Sequence, residues 1–170
     1  MDSETLGFMP ATVAAELIRT KKLSPVEYMR AILDRIEALE PKVNAFAHLA
    51  ADQAMDGARA AEKALMGGGP IGRLHGIPVT IKDNQPKEDT PIIDRFRDAG
   101  AVVIGKTTTS EFGWTGVSRS PLTGITHNPW KHGMNAGASS AGAGAAAAAG
   151  FGPLHQGSDG AGSIRMPSHF

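Results

Sequence analysis

"TPIIDRFRDAGAVVIGKT", residues 90–107, places a helix signal directly before a strand signal. The first part closes at Gly100, as a helix ended by glycine does, and the second is a short β-branched run, Val102 to Ile104, bounded by glycines. A run apolar on both faces suits a parallel strand covered on both sides, so helix followed by strand indicates an α/β fold. Just upstream, "GRLHGIPVTIKDN", residues 72–84, supplies a second strand, in which Ile77, Val79 and Ile81 are β-favouring and Lys82 closes an otherwise apolar run. A lysine at the end of such a strand invites a chemical explanation.

Towards the N-terminus the pattern is helical. In "LSPVEYMRAILDRIEALEP", residues 23–41, Ser24 is a cap, Pro25 suits the first helical position and Glu27 completes a capping box. Met29, Ile32, Leu33 and Ile36 recur at helical spacing, and Pro41 is expected to end the helix. Shorter helices fit "ATVAAELIRTKK", residues 11–22, and "AADQAMDGARAAEKALM", residues 50–66, the latter closed by Gly67, Gly68 and Gly69. Towards the C-terminus, residues 107–133 are irregular, "SSAGAGAAAAAG" (residues 139–150) is a helix of tiny side chains, and a short strand follows around Leu154 to Gln156.

Composition narrows the function. The 170 residues carry no net charge and are 41% hydrophobic, which suits one globular unit and argues against a polyanion-binding surface. Absence of cysteine excludes disulfides, thiolate catalysis and sulfur-ligated zinc. The acidic start "MDSETLGFMP" lacks the pattern of a signal peptide, and the Ala/Gly run near residue 145 is too weakly hydrophobic for a membrane span, so a cytoplasmic location is expected.

Several chemistries lack their residues. No P-loop or correctly placed dinucleotide fingerprint is present, and neither Ser139, Ser140 nor Ser163 stands in a GxSxG frame. His48, His75, His127, His132, His155 and His169 form no metal-binding helix pair. What remains is Lys82 at a strand end, Ser139 and Ser140 in "GASSAG", and Ser163 in "GSDGAGSIRMP", residues 157–167. Individually these have plainer roles as a snorkelling lysine, a helix cap and a turn residue.

Together, "GIPVTIKDN", "DAGAVVIGKTTTSEF", "HNPW", "GASSAGAGAAAAAGFGPL" and "GSDGAGSIRMPSHF" resemble the amidase signature family in order and content, and Ser139 precedes Ser163 by the 24 positions which that family uses. The resemblance implies a mixed β-sheet covered on both faces by helices, with a helical lead-in. Residues 1–170 would form one amidase domain, with N-terminal helices over 1–70 and a catalytic core segment over 71–170. It also implies Ser163 as nucleophile, Ser139 as proton relay across a cis Ala138–Ser139 peptide, and Lys82 as base. The base needs burial to be neutral, which the strand from Val79 to Ile81 can supply. Backbone amides of Gly160, Ala161, Gly162 and Ser163 would form the oxyanion hole, with Ser140 and an Asp159–Arg165 ion pair in support. The reaction the resemblance implies is hydrolysis of a small-molecule linear amide through an acyl-enzyme, without metal or organic cofactor.

Two alternatives accompany this reading: the A subunit of a tRNA-dependent amidotransferase, where RNA would enter as a partner, and a non-catalytic binding module of the same fold. A homodimer would pair through the N-terminal helices. The sequence also departs from the family. Ala138, Ala141 and Ala161 stand where glycines are usual and would impose strain at any position of positive φ. A stretch is expected to be missing between Asn84 and Gln85, and the chain stops at "MPSHF", short of a long C-terminal part.

Overall fold

The computed structural model describes residues 2–84 and 90–170. The expected break between Asn84 and Gln85 borders residues 85–89, which lie outside the described residues. The elements in chain order are α1 (Ser3–Gly7), α2 (Ala11–Arg19), α3 (Pro25–Val43), β1 (Phe46–Leu49), α4 (Ala51–Met66), β2 (Pro78–Lys82), α5 (Pro91–Asp98), β3 (Val102–Thr107), β4 (Arg119–Ser120), β5 (Gly124–Ile125), α6 (Ala141–Ala149) and β6 (Leu154–His155).

Four strands form one mixed sheet in the order β1-β3-β2-β6. β2 runs parallel to both β3 and β6, while β1 joins the β3 edge antiparallel. The sheet is therefore α/β in its centre with one antiparallel edge. Alternation along β2 divides its side chains between two layers. Val79 and Ile81 pack with Ile93 and Phe96 of α5. Each such aliphatic side chain, when fully buried, contributes about 1.5–3 kcal/mol. Thr80 and Lys82 turn to the opposite face, where α3, α4 and α6 gather around Ile77, Val102, Ile104 and Phe151 in the larger core.

One local feature differs from expectation, and a second, the expected Ser24 cap, carries an added contact. α3 continues past Pro41 to Val43 and stops at Asn44, whose φ of 54° is left-handed. Proline lacks a donor but keeps a helical φ, so in the last turn it is tolerated, and the Glu40 carboxylate accepts from the amides of Ala45 and Phe46 just beyond. At the other end, Ser24 Oγ does accept from Val26 and Glu27 amides, but its own hydroxyl goes to Glu62 of α4 and ties the two helices together.

α6 is the element that sets the site. Its alanines and glycines let it lie close to β2, β3 and β6. A Cβ on Gly142 would fall 2.3 Å from the Ala45 oxygen and 2.4 Å from the Thr108 nitrogen, so the first turn of the helix touches backbone directly. Arg35 Nε donates to the Ala149 oxygen at 2.7 Å and Gly150 closes the far end in a left-handed conformation.

Candidate active site

Lys82 ends β2 on the face covered by α6. Its backbone amide donates to Gln156 Oε1 at 3.0 Å, and the residue is only 1% exposed. The amine Nζ lies 2.7 Å from Ser139 Oγ, and Ser139 Oγ lies 2.9 Å from Ser163 Oγ. One continuous hydrogen-bonded path thus runs from a buried amine through one hydroxyl to a second. A hydroxyl both donates and accepts, so this path can carry a proton in either direction. Burial pulls the Lys82 amine below its ordinary 10.5, and the Asp159 carboxylate acts against that pull.

Position follows from topology. Lys82 and Thr107 mark the carboxyl ends of parallel strands, and the chain leaving β6 also turns there, the place where open α/β sheets gather ligands. Ser139 follows a cis peptide bond from Ala138, and Ser140 heads α6. Ser140 donates its amide to the Ser163 oxygen at 3.1 Å, and its hydroxyl exchanges hydrogen bonds with the backbone of Ser158 at 3.3 Å. These contacts fasten the loop that carries Ser163 to the start of the helix.

Asp159 organises the loop from inside. Its carboxylate accepts from the amides of Gly162, Ile164 and Arg165 and takes two hydrogen bonds from the Arg165 guanidinium, at 3.0 and 2.8 Å. Arg165, then these amides, hold the carboxyl well below the usual carboxylate range. The Gly162 amide, one of the four donors the resemblance implies for an oxyanion hole, donates to Asp159 at 2.7 Å. Among the described residues, the amides of Gly160, Ala161 and Ser163 have no protein acceptor.

None of the alanine departures falls at a position of positive φ. Non-glycine residues of positive φ among the described residues are Lys21, Asn44 and Phe112, so the strain expected at Ala138, Ala141 and Ala161 for a left-handed backbone does not arise. The demanding glycines are others: Gly137, at φ 74°, where a Cβ would come within 2.5 Å of Pro167 Cα, and Gly142. Sequence reasoning missed Ser158, whose Oγ accepts from Lys82 Nζ at 3.1 Å, and Gln156. It also passed over Gly113, whose Cβ position lies 3.4 Å from Ser139 Oγ. Among the described residues no helix is long and apolar enough to cross a membrane, and no three His, Asp or Glu side chains gather as a metal cluster.

An α/β sheet with a lysine–serine–serine path at its carboxyl edge defines a class of proteins rather than one. The chain belongs to the amidase (amidase signature) family, whose model matches residues 27–92 and 84–170. It is 39% identical to an acylamidase of Rhodococcus erythropolis over 99% of the chain, and 40% identical to an indoleacetamide hydrolase of Bradyrhizobium diazoefficiens over 94%. It spans 39% and 34% of those relatives' lengths. The acylamidase alignment runs over 186 positions, more than the 170 residues of the chain, so that relative carries internal residues which this chain lacks. The solved structure of a fatty acid amide hydrolase superposes with a TM-score of 0.92 at 26% identity, covering 98% of this chain and 32% of that one.

Proposed function

We propose that the protein hydrolyses carboxylic amides, with Ser163 as nucleophile, Ser139 as relay and Lys82 as base. The observation that carries this reading is the 2.7 and 2.9 Å path from the buried Lys82 amine to Ser163 Oγ. A serine hydroxyl is a weak nucleophile near neutral pH and needs a base in reach, and a lysine serves only when it is neutral. Burial acts in that direction on Lys82.

In the reaction, Ser163 Oγ attacks the amide carbonyl as its proton moves to Ser139 and that of Ser139 moves to Lys82 Nζ. The amides of Gly160, Ala161 and Ser163 face the developing oxyanion, each such donor being worth about 2.7–4 kcal/mol. Gly162 instead belongs to the brace formed by Asp159 and Arg165. The C–N bond breaks with the proton returned to the leaving nitrogen, ammonia or an amine departs, and water hydrolyses the acyl-enzyme by the same path. Ser158 holds the Lys82 amine from its other side. The names of the relatives, an acylamidase and an indoleacetamide hydrolase, favour carboxylic amides as the substrate class.

The test is Ser163→Ala in the full protein, assayed on simple aliphatic and aryl amides alongside labelling by a fluorophosphonate. Turnover is expected to fall by at least about 10³-fold, in keeping with loss of a nucleophile, and labelling to disappear. Undiminished turnover overturns the assignment of Ser163.

A further inference from the structure

Parallel strands exchange evenly spaced hydrogen bonds, in which a residue donates its amide to one residue of the neighbouring strand and accepts at its own carbonyl from the amide two residues further along that strand. β6 follows the first half of this pattern at Gln156, whose amide donates to the Thr80 oxygen at 2.9 Å. The second half is carried by a side chain. The Lys82 amide, which the pattern would send to the Gln156 carbonyl, donates instead to Gln156 Oε1 at 3.0 Å. The other end of the same carboxamide, Nε2, donates to the Gly157 oxygen at 2.6 Å. Gln156 is buried, and this one orientation gives both ends of its carboxamide a partner. β6 ends at His155, and the chain then passes Gly157, whose Cβ position lies 3.0 Å from Ser140 Oγ and leaves little room for a side chain. The main chain thus leaves the sheet towards Ser158, Asp159 and Ser163, while β2 keeps a partner as far as Lys82.

We propose that Gln156 is a positioning residue for the base: its carboxamide stands in for the departing ladder carbonyl, holds the Lys82 backbone at the end of β2 and so keeps Nζ in line with Ser139 and Ser163. This rests on the reading of Lys82 as base. The Lys82 amine meets Ser139 Oγ at 2.7 Å and Ser158 Oγ at 3.1 Å, and a flexible four-carbon stem reaches both only while its Cα is held in place. A reacting group displaced by about 1 Å loses about 10²-fold in rate. Because Nε2 also grips Gly157, the same side chain ties the strand that bears the amine to the segment that bears Ser158 and Ser163.

The experiment compares the full protein with Gln156→Met, which keeps the length but has no acceptor for the amide, Gln156→Asn, which withdraws the carboxamide by one carbon, and Gln156→Glu, which keeps both length and acceptor. Rates are taken on simple aliphatic and aryl amides at the alkaline plateau, where a carboxylate near the amine no longer alters its protonation, and are expressed per Ser163 labelled at completion by a fluorophosphonate. Gln156→Met and Gln156→Asn are expected to lose about 10- to 100-fold in kcat with KM within about threefold of the parent. Gln156→Glu is expected to stay within about fivefold of the parent kcat. A merely structural role would lower the number of labelled sites and leave kcat per site unchanged, and that result in Gln156→Met or Gln156→Asn overturns the proposal. So does the absence of labelled sites in both, or a fall in Gln156→Glu as large as theirs. A Lys82→Arg protein that keeps the parent's acidic limb overturns the base reading itself, a result separate from any that the Gln156 variants give.

Discussion

Lys82 is a buried amine whose nearest polar partners are hydroxyls rather than a carboxylate. Burial lowers its pKa, and Asp159 offsets part of that. With Lys82 in its proposed role as base, activity should track the deprotonated fraction: it rises with pH along a limb lying below 10.5 and falls as pH drops through the lowered value. Lys82→Arg keeps the charge but cannot release a proton near neutrality, so kcat is expected to drop by about 10²–10⁴-fold across the profile. A variant with the same limb as the parent would remove Lys82 from the base role. At this scale the sequence was informative where residues sit in a recognisable run, as Lys82, Ser139 and Ser163 do. Ser158 was not legible, since a serine in a glycine-rich turn bears no local mark of a contact made 76 positions upstream.

Among elements, α6 carries the tightest constraint, and Gly142 in its first turn shows how competing effects resolve. Alanine in a helix interior is favoured over glycine by about 1 kcal/mol. Against this, the added Cβ would meet the Ala45 oxygen at 2.3 Å and Thr108 nitrogen at 2.4 Å, backbone atoms that cannot rotate away. Gly142→Ala is therefore expected to destabilise by about 1–3 kcal/mol, the range of overpacked sites, and to lower Tm by several degrees. Gly160→Ala, with open space at its Cβ and no positive φ, should leave Tm unchanged. A thermal melt in which both variants match the parent would contradict the close packing of α6. Helices α2 to α6 and strands β2, β3 and β6 were legible because capping, period and β-branching agree along them. β1 was not: Phe46–Leu49 is four residues between two helices, and its strand state comes from pairing with β3, a contact absent from its own pattern. The loop from 107 to 133 was legible only as irregular, so the approach of Gly113 to Ser139 was not foreseen.

For the molecule as a whole, acid stability depends on groups that tie layers together. His155 joins the edge strand to its neighbour through Thr80 Oγ1 at 2.9 Å and bonds the Gly152 oxygen through Nε2 at 2.9 Å. Burial pushes its pKa down from 6.5 to about 4, while the hydrogen bond to Gly152 acts weakly the other way. The folded state therefore holds fewer protons at this site than the unfolded chain does between those values. Its stabilising contribution is complete above pH 6.5 and is lost as pH falls towards 4. His127 shifts in the same direction through burial and the adjacent His132, and adds to the slope. Glu40 is raised by burial, so its protonation favours the fold as pH drops towards 4.5 and opposes the histidines. Asp159 is held so low by Arg165 that it keeps its charge throughout this window. Tm is accordingly expected to decline between pH 6.5 and 4 while the Asp159 brace remains ionised. His155→Gln, which keeps a polar side chain but cannot titrate, should flatten that decline, and His127→Gln should remove part of what is left. An unchanged slope in the His155→Gln protein would place the acid sensitivity outside the β2–β6 edge.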